Sequence, residues 1–200
     1  MRSAMDKGGD PVSEAIDAQN PSLFSRRNML CFAAAASGFA VIRPSLASAS
    51  RTGKKRIRIH HLHTGEELET VYWRGGSYVR SALHDLDHVL RDWRTGEVER
   101  IDPDVIDMVH DVVSRTDGLP AQIISGYRSP KTNANLAANG SGVARRSYHM
   151  RGKAIDFRLE GFSAGQVYEV AWDLQRGGVG LYTRSNFVHV DSGPVRTWGS

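Results

Sequence analysis

The sequence predicts an α+β domain, a largely antiparallel sheet with packed helices, and two patterns carry that prediction. Short segments with a two-residue apolar period are separated by turn residues, as half-buried strands require. Three longer stretches repeat apolar residues at helical spacing and alternate only partly with the strands, so hairpins outnumber long crossovers.

In chain order, Arg56 to His63 places Ile57, Ile59 and His61 on one face, and Glu67 to Trp73 continues the extended pattern beyond Thr64-Gly65, which reads as a β-hairpin. After Gly75-Gly76, Ser77 is a candidate cap for an amphipathic helix carrying Val79, Ala82, Leu83, Leu86, Val89, Leu90 and Trp93. Asp102-Pro103 opens a second helix with a cap and a first-turn proline, and Val105, Ile106, Val109, Val112 and Val113 form its buried stripe. Gln122 to Tyr127 reads as a short strand, Thr132 to Ala138 as a short helix, and Asn139 to Arg146 as a flexible basic loop. Ala154 to Arg158 is another strand, Ser163 to Gln175 a third long helix, and Val179 to Tyr182 with Phe187 to Asp191 the closing strands.

The N-terminal segment, residues 1–49, reads as an address and not as fold. Arg26-Arg27 stands ahead of an alanine-rich apolar run, Leu30 to Ile42, and Ala47-Ser48-Ala49 supplies a small-x-small cleavage site. This is the twin-arginine export pattern, so the twin-arginine machinery is an expected partner and the periplasm the expected location of residues 50–200. The apolar run is too short for a comfortable membrane span. Cys31, the only cysteine, lies inside the signal, so no disulfide is expected in the exported part. Across 200 residues, 40% hydrophobic and 24% charged composition is that of an ordinary globular protein, and the net charge of +4 comes from cations scattered among nearly as many acids. That is not a nucleic-acid signature.

The chemistry concentrates in Ser147-Tyr148-His149-Met150-Arg151-Gly152-Lys153-Ala154-Ile155-Asp156-Phe157. Asp156 interrupts an apolar strand, where an unpaired carboxylate is costly to bury, so a cationic partner is implied. His149 precedes it in a loop that Gly152 can turn tightly, and His189 and Asp191 share a strand face by the two-residue period. Two histidines, one carboxylate and an open fourth position match a catalytic zinc site. By spacing alone a second reading stands beside it, because strand histidines are often hydrogen-bonded core residues. His84 and His88 are also four apart on a helix but have no third ligand nearby in sequence, and read as solvated.

The string Ser147-x-His149-x-x-Gly152-x-Ala154-x-Asp156 resembles the metal motif of the zinc peptidases that include D-Ala-D-Ala carboxypeptidases and the vancomycin-resistance dipeptidase, with a Hedgehog-type fold. Ser125-Gly126-Tyr127-Arg128-Ser129 is similar to that family's upstream arginine motif, and His189 falls where its third ligand belongs. Within the family, Leu62-His63-Thr64-Gly65-Glu66 and the run Gly177-Gly178-Val179-Gly180 through His189 extend the likeness to exported murein endopeptidases over nearly all of Ser50 to Ser200. The resemblance implies that His149, Asp156 and His189 bind Zn2+, that Arg128 stabilises the developing oxyanion or holds a substrate carboxylate, and that Ser147 hydrogen-bonds the substrate.

One position departs from the family. Members commonly place an acid or histidine three residues before the last ligand, or a histidine two before it, as general base; here Asn186 and Phe187 stand there. Asp191 is then the candidate catalytic base, with an orienting role toward His189 as the alternative, and His63 is held in reserve. Arg145-Arg146 could meet the free carboxylates of peptidoglycan peptides, and Trp198 could border the cleft. The function expected is hydrolysis of amide bonds in peptidoglycan stem peptides by an endopeptidase acting on cross-links. A D,D-carboxypeptidase and a non-catalytic zinc-bearing wall-binding module are the alternatives.

Overall fold

The structure is a computed structural model that describes residues 53–139 and 143–199, so the reading of 1–49 as a signal, and part of the basic loop, lie outside the described residues. Within them the alternating segments form strands as the pattern requires. Strand β1 (Lys54–His61) buries Ile57, Ile59 and His61 and pairs antiparallel with β2 (Glu67–Arg74). Ser77 is not a helix cap. Gly75 and Gly76, at φ +58° and +91°, turn the chain so tightly that Ser77–Tyr78 pairs back on Arg74 and Trp73 as a short strand, β3. The first helix, α1 (Arg80–Val89), therefore starts after Val79 without a side-chain cap, and Trp93 lies beyond its end.

The other helices are capped by the residues their sequences advertise. Asp102 accepts from the Asp104 backbone at the start of α2 (Pro103–Ser114), Ser129 accepts from Thr132 at α3 (Pro130–Ala138), and Ser163 forms a capping box with Gln166 at α4 (Ala164–Asp173). Five more strands follow: β4 (Ala121–Ser125), β5 (Ala154–Arg158), β6 (Gly178–Tyr182) and β7 (Phe187–Asp191) match the reading, whereas β8 (Arg196–Gly199) was not expected.

The eight strands form one sheet in the order β3-β2-β1-β4-β5-β7-β6-β8. The class is α+β as expected, but the sheet is mixed: β4 runs parallel to β1, and β8 parallel to β6. The first parallel pair arises because α1 and α2 carry the chain over before it returns beside β1. The second arises because Ser192–Val195 carries the chain from β7 past β6 to its far edge.

Helices α2 and α4 cover one face of the central strands, α2 against β5 and β7 and α4 against β6 and β7. Ile155, Phe157, Val188 and Val190 point into that core with Val105, Val109 and Val112. By the period of two, Asp156 and His189 emerge on the opposite face. The register sets them directly beside each other, with Asp156 opposite His189 across β5 and β7.

Candidate metal centre

Each of the three expected ligands is aimed by a different local device. His149 sits in a 3₁₀ turn, Tyr148–Arg151, in which the Ser147 hydroxyl accepts from the His149 backbone N–H and which Gly152 closes at φ +61°. Its Nδ1 donates to the Gly126 carbonyl at 2.7 Å, which fixes the tautomer and leaves the Nε2 lone pair facing inward. His189 Nε2 donates to Asp191 Oδ2 at 3.0 Å, so its Nδ1 is the inward nitrogen.

The inward atoms converge. Asp156 Oδ1 lies 3.2 Å from His149 Nε2 and 2.8 Å from His189 Nδ1, and the two nitrogens are 3.2 Å apart. All three residues are buried, and among the described residues they are the group that could hold a metal ion. Around a tetrahedral zinc with bonds of roughly 2.0–2.1 Å, ligand atoms stand about 3.3 Å apart, so the spacing fits. The donor chemistry fits as well, since three lone pairs meeting in a buried site need a cation or a proton between them.

Electrostatics agrees with that need. Burial lowers the pKa of His149 and keeps it neutral. Burial alone would raise Asp156, yet His149 and then His189 hold its carboxyl well below the usual carboxylate range. Burial would likewise lower His189, but the carboxylates of Asp156 and Asp191 push it up to about 9.

A cleft of about 420 Å³ opens over these ligands. Arg128 lines it, with Nη2 3.4 Å from Asp156 Oδ2 and 3.3 Å from Ser125 Oγ, while its buried Nε has no partner among the described residues. Ser147 lines it too, as does Arg146 of the basic pair, and Trp198 borders it as expected. Opposite them, Tyr182 stacks on Phe187 at 4.5 Å between ring centroids and accepts the Trp198 indole N–H at 3.1 Å.

Asp191 and His63 do not line the cleft. Asp191 is fully buried behind His189, and its oxygens also receive the Gly193 backbone and two nitrogens of Arg196. Despite burial, His189 and Arg196 hold its carboxyl far below the usual range. His63 stacks on Trp93 at 4.3 Å. Asn186 is turned away: at φ +49° its Oδ1 accepts from the Ala164 backbone at the start of α4. His84 and His88 are exposed on α1.

Sequence reading missed Arg196, Tyr148, Tyr182 and Phe187 as cleft residues. For Arg196 the signal was the glycine spacing of β6, where side chains are absent to admit neighbours. A Cβ on Gly178 would lie 2.4 Å from Arg196 Nη1, and one on Gly180 would lie 2.6 Å from the Trp198 ring.

The family model described as peptidoglycan L,D-endopeptidase MepK matches residues 49–198, which include all three ligands, Arg128 and Ser147. The chain belongs to that family. Escherichia coli (strain K12) peptidoglycan L,D-endopeptidase MepK is 39% identical over 180 residues, covering 87% of this chain and 97% of that protein. A Haemophilus influenzae protein named a probable peptidoglycan L,D-endopeptidase MepK is 38% identical over 177 residues, covering 87% and 95%. The crystal structure of Serratia marcescens L-Ala D-Glu endopeptidase ChiX aligns with 38% of this chain and 62% of its own, at 18% identity and a TM-score of 0.32, and the family assignment stands without it.

Proposed function

We propose that this MepK family member is a zinc-dependent peptidoglycan endopeptidase that hydrolyses an amide bond in the peptide cross-links. The observation that carries the reading is the convergence of His149 Nε2, Asp156 Oδ1 and His189 Nδ1, each histidine's outer nitrogen being tied to a separate acceptor. These three atoms would hold the ion. When bound, zinc supplies a Lewis acid that polarises a carbonyl and lowers the pKa of water.

The chain's own residues do the rest. The Arg128 guanidinium, buried beside Asp156 with an uncommitted Nε–H, is the donor for negative charge developing on the carbonyl oxygen. The Ser147 hydroxyl accepts from the His149 backbone and so keeps its own proton to donate to substrate. Asp191 serves as a positioning residue: with no exposed oxygen it holds the His189 ring and leaves proton abstraction to others. The exported domain is residues 50–200, and the twin-arginine signal in 1–49 delivers it to the periplasm; among the described residues no helix is long and apolar enough to cross a membrane.

Digestion of purified sacculi and of defined cross-linked peptides by residues 50–200, with zinc and with chelator, tests the reading. Cross-link cleavage that chelator stops and zinc restores is expected. Release of terminal D-Ala alone would instead identify a carboxypeptidase. A second reading has its own support, because among the described residues no carboxylate or imidazole besides His149, Asp156 and His189 lines the cleft: a wall-binding module would retain sacculi and leave every cross-link intact.

A further inference from the structure

One cation that lines the cleft lies outside the cluster of His149, Asp156 and His189 and pairs with Asp191 behind it. Arg196 sends Nη1 to Asp191 Oδ1 at 3.0 Å and to the Pro194 carbonyl at 3.0 Å, and Nη2 to Asp191 Oδ2 at 2.7 Å. Its guanidinium lies 5.0 Å from the Tyr148 ring centroid and 4.9 Å from that of Trp198. Those contacts fix its position, yet 38% of the side chain stays exposed and the residue lines the cleft.

A guanidinium has five N–H donors arranged as two carboxylate-matching forks. The end-on fork of Nη1 and Nη2 is closed on Asp191. The side-on fork, Nε–H with the second Nη2–H, makes no hydrogen bond among the described residues. Arg128 and Arg146 line the same cleft, whose one acidic lining residue among the described residues, Asp156, is buried and already paired, as is Asp191 behind His189. The cleft therefore presents cations to its ligand and no free acid. A preorganised fork loses less entropy on binding than a free arginine does.

Building on the endopeptidase reading, we infer that Arg196 is a specificity-determining residue that selects substrates with a free carboxylate beside the scissile amide and disfavours the corresponding carboxamide. A carboxylate accepts both donors of the open fork. A carboxamide offers one acceptor and turns its own N–H donors toward the other, so it loses the charge and one hydrogen bond together.

The test uses two cross-linked peptides that differ only in that group, with the zinc-loaded protein and its Arg196→Gln and Arg196→Lys variants. Wild type should favour the free carboxylate by about tenfold or more in kcat/KM, the scale of a charge-assisted hydrogen bond. Arg196→Gln also loosens Asp191, which slows both peptides together, so the ratio between them is the readout; it should fall to near one. Arg196→Lys, which keeps charge without the fork, should keep an intermediate ratio. Calorimetric binding of both peptides to chelated protein supplies a second readout, tighter for the carboxylate in wild type and equal in Arg196→Gln. Equal rates and equal binding of the two peptides by wild type would overturn the inference, as would a preference that survives Arg196→Gln. Discriminating binding without any cleavage would sink the endopeptidase reading and leave the Arg196 anchor standing.

Discussion

On the proposed metal assignment, a proton and the ion compete for one atom of His189. Burial disfavours the charged ring, but the hydrogen-bonded carboxylates of Asp156 and Asp191 raise its pKa to about 9, so the metal-free protein carries an imidazolium there at neutral pH. Since the pKa is raised above the ordinary histidine value of roughly 6.5, this charge stabilises the metal-free fold fully below that pH, and its contribution disappears as pH climbs through about 9. Zinc must displace that proton, whereas buried His149 is already neutral. Zinc uptake at pH 7 should therefore release about one proton, and affinity should rise about tenfold per pH unit until the His189 pKa is passed. Calorimetric titrations in buffers of different protonation enthalpy measure both, and a pH-independent affinity would refute the assignment. Asp191→Asn should weaken zinc binding by about tenfold to a hundredfold, with added zinc restoring turnover, because an orienting contact is lost and not a base. A rate still about a hundredfold low at saturating zinc would return Asp191 to the role of base. The His149, Asp156 and His189 cluster that could hold a metal was legible because a carboxylate in an apolar strand and a histidine two residues from an acid are local patterns. What could not be read locally is that Asp191 faces away from the cleft, since Arg196 reaches it only once β8 pairs with β6.

At the scale of elements, the turn after His149 is the most exacting piece of backbone. Gly152 adopts φ +61°, donates its N–H to the His149 carbonyl, and packs so closely that an added Cβ would lie 2.1 Å from the Arg100 carbonyl oxygen. The left-handed conformation alone costs a non-glycine residue about 1–2 kcal/mol, and here backbone, which cannot swing aside, adds a clash. Gly152→Ala should lower the melting temperature and cost zinc affinity together, because the same turn carries His149. Unchanged melting and unchanged zinc binding would show that the turn relaxes freely. The helices with side-chain caps were legible to within a residue or two, because Asp102, Ser129 and Ser163 mark their starts chemically. Strands β3 and β8 were not. Both are short edge strands whose pairing depends on a glycine turn or a crossing loop, and neither has enough residues to display a period.

For the molecule as a whole, the apolar core and the metal ligands occupy opposite faces of the central strands, so folding and metal loading are separable. Fully buried residues such as Tyr72, Phe157, Leu86 and Ile106 each contribute about 1.5–3 kcal/mol by leaving water, without any contribution from the ion. Chelation should accordingly leave the far-ultraviolet circular dichroism intact at 25 °C and lower only the melting temperature, by an amount that grows with free zinc as binding linkage requires. Collapse of the dichroism on chelation would show that the ion holds the fold. The same separation bears on the proposed export. A domain that folds by itself suits the twin-arginine route, which carries folded cargo, and on that proposal the paired arginines Arg26 and Arg27 are what the machinery reads. Replacing Arg26 and Arg27 with lysine should therefore hold the full-length precursor in the cytoplasm, folded and able to bind zinc, while the parent chain yields a shorter form, cleaved after Ala49, in the periplasm. Fractionation with mass measurement of both forms distinguishes the outcomes. An unchanged periplasmic yield from the double-lysine chain would mean that a different export signal is being read, and the assignment of residues 1–49 would have to be abandoned while the metal centre stood unaffected.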